Sequence, residues 1–293
     1  MVNALRQATS KARGGTSVAA STPLRLPYLF TAIIVLLMAV ASAGGLFLED
    51  LYRNNLWATS QFRGSDLVRL MLVVPVFIAA FILAVRGSRR GQLVWLGMLW
   101  LTLYDYAFYL FGAAFNEFFL IYVALFSLSA LALIFALPKI DATAIGAQFT
   151  TKTPVRWISG YMLLIAAFLG GLWTLQSLGF VFTGQPPQSL VDSGHVTEIV
   201  FALDLSLLVP GMILGAVWLW QRRAWGYVVA GMMMVKATLY PMALIGMSVF
   251  AASAGVADAG SMTPFWVFFA AASLLVSGLL FGNMRVPVNA GQC

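Results

Sequence analysis

The sequence predicts an all-α integral membrane protein of eight transmembrane helices, built as two tandem four-helix repeats in parallel orientation with both termini in the cytoplasm (N-in/C-in). Three observations carry that prediction. The chain is 61% hydrophobic and only 9% charged, whereas soluble domains carry about a quarter charged residues. Eight apolar stretches have the length of a membrane crossing. The segments joining them alternate in charge from one to the next.

A spanning helix needs about 20 mainly apolar residues, because hydrocarbon offers the backbone no hydrogen-bonding partner. Residues 1–25 are polar, rich in Ser, Thr and Ala, and basic, with Arg6, Lys11, Arg13 and Arg25. The first apolar stretch comes too late for a signal peptide, so a flexible cytoplasmic tail is expected there. The first span is Tyr28–Phe47 and the second Leu67–Val85. A turn holding Arg86, Arg89 and Arg90 leads to the third, Leu93–Ala113, and the fourth is Phe118–Leu137. A linker at 139–152 precedes the fifth, Trp157–Leu175, the least distinct, with Gly170 and Gly171 near its end. The sixth, Thr197–Trp220, turns through Arg222 and Arg223 into the seventh, Tyr227–Ala252, and the eighth, Phe265–Asn283, runs into a tail at 285–293.

Charge sets the orientation. Thirteen of the seventeen Lys and Arg residues fall in the N-terminal tail, the turns after the second and sixth spans, the linker and the C-terminal tail, with one acid, Asp141, among them. The opposite loops hold Glu49, Asp50, Glu117, Asp192 and Asp258 against Arg53 and Arg63. Positive residues stay on the cytoplasmic side, so both ends lie there.

The chain also resembles itself. Thr22-Pro23-Leu24-Arg25 opens the first span and Thr153-Pro154-Val155-Arg156 the fifth, and Gly44-Gly45 is echoed by Gly170-Gly171. A shift of 135 residues lays Leu70, Leu72, Val74, Pro75, Ile78, Gly91, Val94 and Met98 on Leu205, Leu207, Val209, Pro210, Ile213, Gly226, Val229 and Met233. Internal symmetry of this kind is common in transporter folds. It divides the chain into repeats at 26–138 and 153–284, with the interface between them as the natural place for a site.

Four ionisable residues fall deep within the spans, away from their ends: Arg69, Asp105, Asp204 and Lys236. Each costs about 2.5–3.5 kcal/mol or more in hydrocarbon and so needs a partner or water. Counted at about 1.5 Å per residue from the basic face, all lie roughly 20–25 Å deep, in one layer of the outer half of the bilayer. The repeat places Arg69 at the position of Asp204, and Asp105 and Lys236 one turn apart on the other equivalent helix pair. The expected arrangement is two pairs, Arg69 with Asp204 and Asp105 with Lys236, or a single four-charge cluster. Such charges serve either as structural locks or as an outward-facing polar cavity for a small solute, with a carboxylate able to exchange protons. Tyr104, Tyr106, Tyr109, Tyr240 and Thr238 lie at the same depth, and Pro75, Pro210 and Pro241 fall inside helices.

Further out, His195 and Glu198 have the His-x-x-Glu spacing that puts two side chains on one helical face. A lone histidine is nevertheless a weak metal signal, and interfacial hydrogen bonding is expected instead. The Met232-Met233-Met234 run reads as adaptable packing. Gly211-x-x-x-Gly215 and Gly278-x-x-x-Gly282 permit close helix contact, within the chain or between copies of a homo-oligomer. One cysteine, Cys293, and one histidine exclude an internal disulfide, thiolate clusters and bis-histidine haem. Nucleotide-binding and hydrolase motifs are absent, and no cofactor or metal is expected. The basic charge marks a membrane face, so the partners expected are membrane lipids and a small polar solute, with no nucleic acid. The leading functional expectation is a transporter or small-solute-binding permease. The alternatives are a non-catalytic partner or assembly subunit with structural ion pairs, and a membrane-embedded enzyme acting on a lipid-linked substrate.

Overall fold

A computed structural model describes residues 24–285. Eight helices in it are long and apolar enough to cross a membrane: α1 (Arg25–Phe47), α2 (Leu56–Val85), α3 (Arg89–Gly112), α4 (Phe119–Lys139), α5 (Val155–Thr183), α6 (Ile199–Trp220), α7 (Ala224–Ser253) and α8 (Thr263–Gly282). Leu36, Leu120, Leu164 and Leu275 stand exposed on their flanks. Apolar side chains facing outward from an all-helical bundle fit a polytopic membrane protein, whose outer solvent is lipid. The expected tails, and the Thr22-Pro23 pair, lie outside the described residues apart from Arg25, which opens α1, and Arg285.

Two helices exceed their expected bounds by about two turns or more. α2 begins at Leu56 rather than Leu67, where Asn55 caps it by accepting from Ala58 N–H (2.9 Å). The added turns carry Ser60, Ser65 and Asp66, all buried; their polarity hides the helix from a hydropathy reading, although they face protein. α5 continues past Leu175 to Thr183, where Gly184 takes up the left-handed conformation that ends many helices. The linker at 139–152 is also ordered. Its short helix Ala142–Gly146, capped by Asp141 on Ala144 N–H (2.9 Å), packs on α7, and Phe149 stacks on Tyr227.

α3 and α7 are the most buried of the eight helices. α1 packs on α2 and α4, and α3 on α2 and α4; α6 packs on α5 and α7, and α8 on α7. α7 also crosses to α2 and α3, joining α1–α4 to α5–α8. Inside α2 and α6 the helix widens into one π turn, Arg69–Val73 in the first and Asp204–Leu208 in the second. Each is followed directly by a Val-Pro pair, Val74-Pro75 and Val209-Pro210. A proline ring collides with the carbonyl one turn earlier, and an extra residue in that turn relieves the collision; such π bulges often sit at functional positions.

The turns that follow are alike. Arg86 and Gln221, in corresponding places, donate to Ile82 and Val217 carbonyls, and Ser88 and Arg223 to Leu83 and Trp218 carbonyls. The position between is left-handed in both, Gly87 at φ 83° and Arg222 at φ 54°. A Cβ on Gly87 would meet nothing within 4 Å, so Gly87→Ala changes backbone strain alone. It should cost about 1 kcal/mol, read as a small fall in the unfolding midpoint of the purified protein.

Candidate functional site

The buried charged side chains come from α2, α3, α6 and α7, with Tyr52 from the α1–α2 loop and Trp173 from α5 bonded to them. Arg69, at the first residue of the α2 π turn, donates from Nη1 to Asp66 Oδ1 (2.9 Å) and to the Tyr109 hydroxyl (2.8 Å). From Nη2 it donates to Ser65 Oγ (3.1 Å) and Asp105 Oδ2 (3.3 Å). Its guanidinium also lies 4.6 Å from the centre of the Tyr109 ring and 5.3 Å from that of Tyr106. Tyr109 donates on to Asp66 Oδ1 (3.0 Å), and the Tyr52 hydroxyl donates to Asp66 Oδ2. Burial, with the Asp66 carboxylate next in weight, pushes the Tyr52 hydroxyl well above the ordinary tyrosine range, so it remains a donor.

Asp204 opens the α6 π turn and meets neutral donors. The Tyr104 hydroxyl donates to Oδ1 (2.6 Å) and the Trp173 indole to Oδ2 (2.8 Å). Lys236, on α7, stands between the two groups. Its ammonium lies 3.4 Å from the centre of the Tyr104 ring and 3.8 Å from that of Tyr240, a cation between two aromatic faces. Neither Asp105 nor Asp204 forms an ion pair with it, and Asp105 Oδ1 is buried with no hydrogen-bond partner.

The pairs anticipated from the sequence are therefore replaced. Arg69 pairs with Asp66 and Asp105 instead of Asp204, because Asp66 lies one helical turn away on the same helix and Asp105 faces it from α3. Lys236 takes aromatic faces in place of Asp105. Asp66, Tyr52, Ser65 and Trp173 were not anticipated. Asp66 sits one residue before the expected start of the second span; its spacing of three from Arg69 was the available signal. With Asp66 included, the ionisable side chains buried among the described residues are three carboxylates, Asp66, Asp105 and Asp204, against two cations, Arg69 and Lys236. The layer is not neutral in formal charge. Asp105, the most exposed of the five, shows 7% of its surface.

The other expected residues lie apart. α6 begins at Ile199, so His195 and Glu198 sit in the loop before it and share no helical face. Gly194, left-handed at φ 66°, ends the preceding short helix Gln188–Ser193 and sets that loop. His195 rests edge-on to Phe108 and beside Gly112 with Nε2 unpartnered, while Glu198 accepts from Ser189 Oγ (2.5 Å). Among the described residues no cluster of three potential metal ligands occurs. Thr238 bonds Ser277 Oγ (2.7 Å) across to α8 rather than joining the charges.

A scan against protein-family models and searches of curated proteins and of solved structures find no match to this chain. The reading of the layer therefore rests on its own chemistry.

Proposed function

We propose that the protein is a membrane transporter or solute-binding permease whose buried layer exchanges a proton or a cationic solute. The carrying observation is the imbalance of three buried carboxylates against two buried cations. A net charge in a medium of low dielectric is costly, by at least about 2.5–3.5 kcal/mol on insertion scales, so the layer takes up one further positive charge. Asp105 Oδ1 is an unfilled acceptor for it. In this reading α1–α4 and α5–α8 are the two repeats, with N-in, C-in orientation and the layer toward the outside. The matched π turns at Arg69 and Asp204 support that relation, and a charged residue heading each turn makes it a place where helix geometry and charge state can change together.

Infrared difference spectra of the protein in lipid nanodiscs test this. One buried carboxylic-acid band is expected that changes with buffer pH and shifts in heavy water. It should vanish in one of Asp66→Asn, Asp105→Asn and Asp204→Asn. The second reading, a non-catalytic partner subunit, is favoured by the complete bonding of Asp66 to Arg69, Tyr109 and Tyr52. It expects a proton that neither titrates nor exchanges, and that result would sink the transport reading.

A further inference from the structure

The three carboxylates are not equally enclosed. Asp66 is closed in by backbone: a Cβ on Gly45 of α1 would lie 1.8 Å from Asp66 Oδ2, so α1 sits flush against the charge. The matching Gly-Gly pair of α5 has no such close neighbour, Gly171 being exposed on the outer face of the helix. A Cβ on Gly171 would meet nothing within 4 Å, and one on Gly170 only Val209 at 3.4 Å. On this flank Asp204 accepts from the half-buried Trp173 indole, which is stacked on Phe201 (4.2 Å between ring centres). Phe168 and Phe265 pair nearby at 6.0 Å, linking α5 to α8. Asp66 and Asp105 share the Arg69 guanidinium. Asp204 has only neutral hydrogen-bond donors.

We infer that an amphipathic organic cation reaches Asp204 sideways from the bilayer, between α5 and α6, by displacing the Trp173 indole. This rests on the cation-exchange reading above and names the class of solute. The path fixes the class. A hydrated inorganic ion would have to shed its water against apolar α5 and α8 side chains, at the cost that keeps bare charges out of hydrocarbon. A quaternary or protonated ammonium, or a phosphonium, with an apolar body dissolves at that flank. Its charge is then received by aromatic faces, those of Trp173 and Phe201, which attract organic cations. At the end of the path, the Asp204 carboxylate replaces the Trp173 N–H with the solute's positive charge, and the layer's third carboxylate is balanced.

Tetraphenylphosphonium binding to the full chain in nanodiscs is the test. We expect one saturable site per chain, competed by protons and weakened about tenfold or more in Asp204→Asn, with the exposed-loop variant Asp258→Asn binding as the wild type does. Dicyclohexylcarbodiimide, a lipid-soluble carboxyl reagent, supplies a readout on the unaltered protein. It should label Asp204 in preference to Asp66 and Asp105, faster in Trp173→Ala, and tetraphenylphosphonium should protect. Absence of saturable binding to folded wild type, undiminished binding in Asp204→Asn, or labelling confined to Asp66 and Asp105 would each overturn the inference. Should these fail while the infrared band still titrates, the lateral path falls and proton exchange stands; a band that does not titrate removes the exchange reading itself.

Discussion

Arg69→Met should remove about 3–5 kcal/mol of folding stability, the scale of a buried charge left without its partner. The guanidinium serves Asp66, Tyr109, Ser65 and Asp105 at once. Its loss leaves Asp66 and Asp105 without their partner and three buried carboxylates against Lys236, which ion-pairs with none of them. Arg69→Lys should recover little, because a compact ammonium cannot reproduce a planar fork that reaches α2 and α3 together. Recovery is expected when charge is restored to balance: Asp66→Asn and Asp105→Asn, added to Arg69→Met, should return most of the loss. Denaturant titration of the four proteins in one mixed-micelle system checks this. A single Arg69→Met variant as stable as the wild type would show that the three charges do not share one enclosed network.

The spans were legible because the requirement behind them is simple: in hydrocarbon every backbone group must bond within its own helix. That requirement reads well from leucines and phenylalanines and badly from Ser60, Ser65 and Asp66. These three are helical and buried, but their polar side chains face protein, and hydropathy cannot tell a polar residue facing protein from one facing water. The start of α2 was missed for that reason. Asp66 went with it, and with Asp66 the imbalance of charge. The other four buried charges, Arg69, Asp105, Asp204 and Lys236, were legible because each falls inside an apolar span.

Pairing was not legible, because it depends on which side chains the fold brings within reach of each charge. The 135-residue shift lays Arg69 on Asp204, which suggested a contact between them. In the fold, Asp66 and Asp105 reach Arg69, while Tyr104 and Trp173 reach Asp204. Nor does a small-residue motif say where helices touch. A Cβ on Gly211 or Gly215 would meet Met233 or Met162 and Ala230 within the chain, but one on Gly278 or Gly282 would meet nothing within 4 Å.

The contact that joins α1–α4 to α5–α8 involves glycines that no spacing singles out, and the second large effect is expected there. A Cβ on Gly64 of α2 would lie 2.4 Å from the Gly246 carbonyl oxygen and 2.8 Å from Met247 Cα, while one on Gly246 of α7 would lie 2.7 Å from the Gly64 carbonyl oxygen. A Cβ on Gly246 would also meet Val68 Cγ2 at 2.6 Å, but backbone stands against both glycines, so neither helix can yield by turning a side chain alone. Gly64→Ala and Gly246→Ala should each cost about 1–3 kcal/mol. The double variant should cost less than the sum, since the first methyl already parts the helices that the second would press. Gly278→Ala, a motif glycine with open space around it, should stay within about 0.5 kcal/mol of the wild type. α2 carries Asp66 and Arg69 and α7 carries Lys236, so parting the two helices also loosens the layer. In Gly64→Ala the carbodiimide reagent should reach Asp66 and Asp105, which the wild type shields. A Gly64→Ala protein of full stability, with both carboxylates still unlabelled, would mean that α2 and α7 do not cross at these glycines.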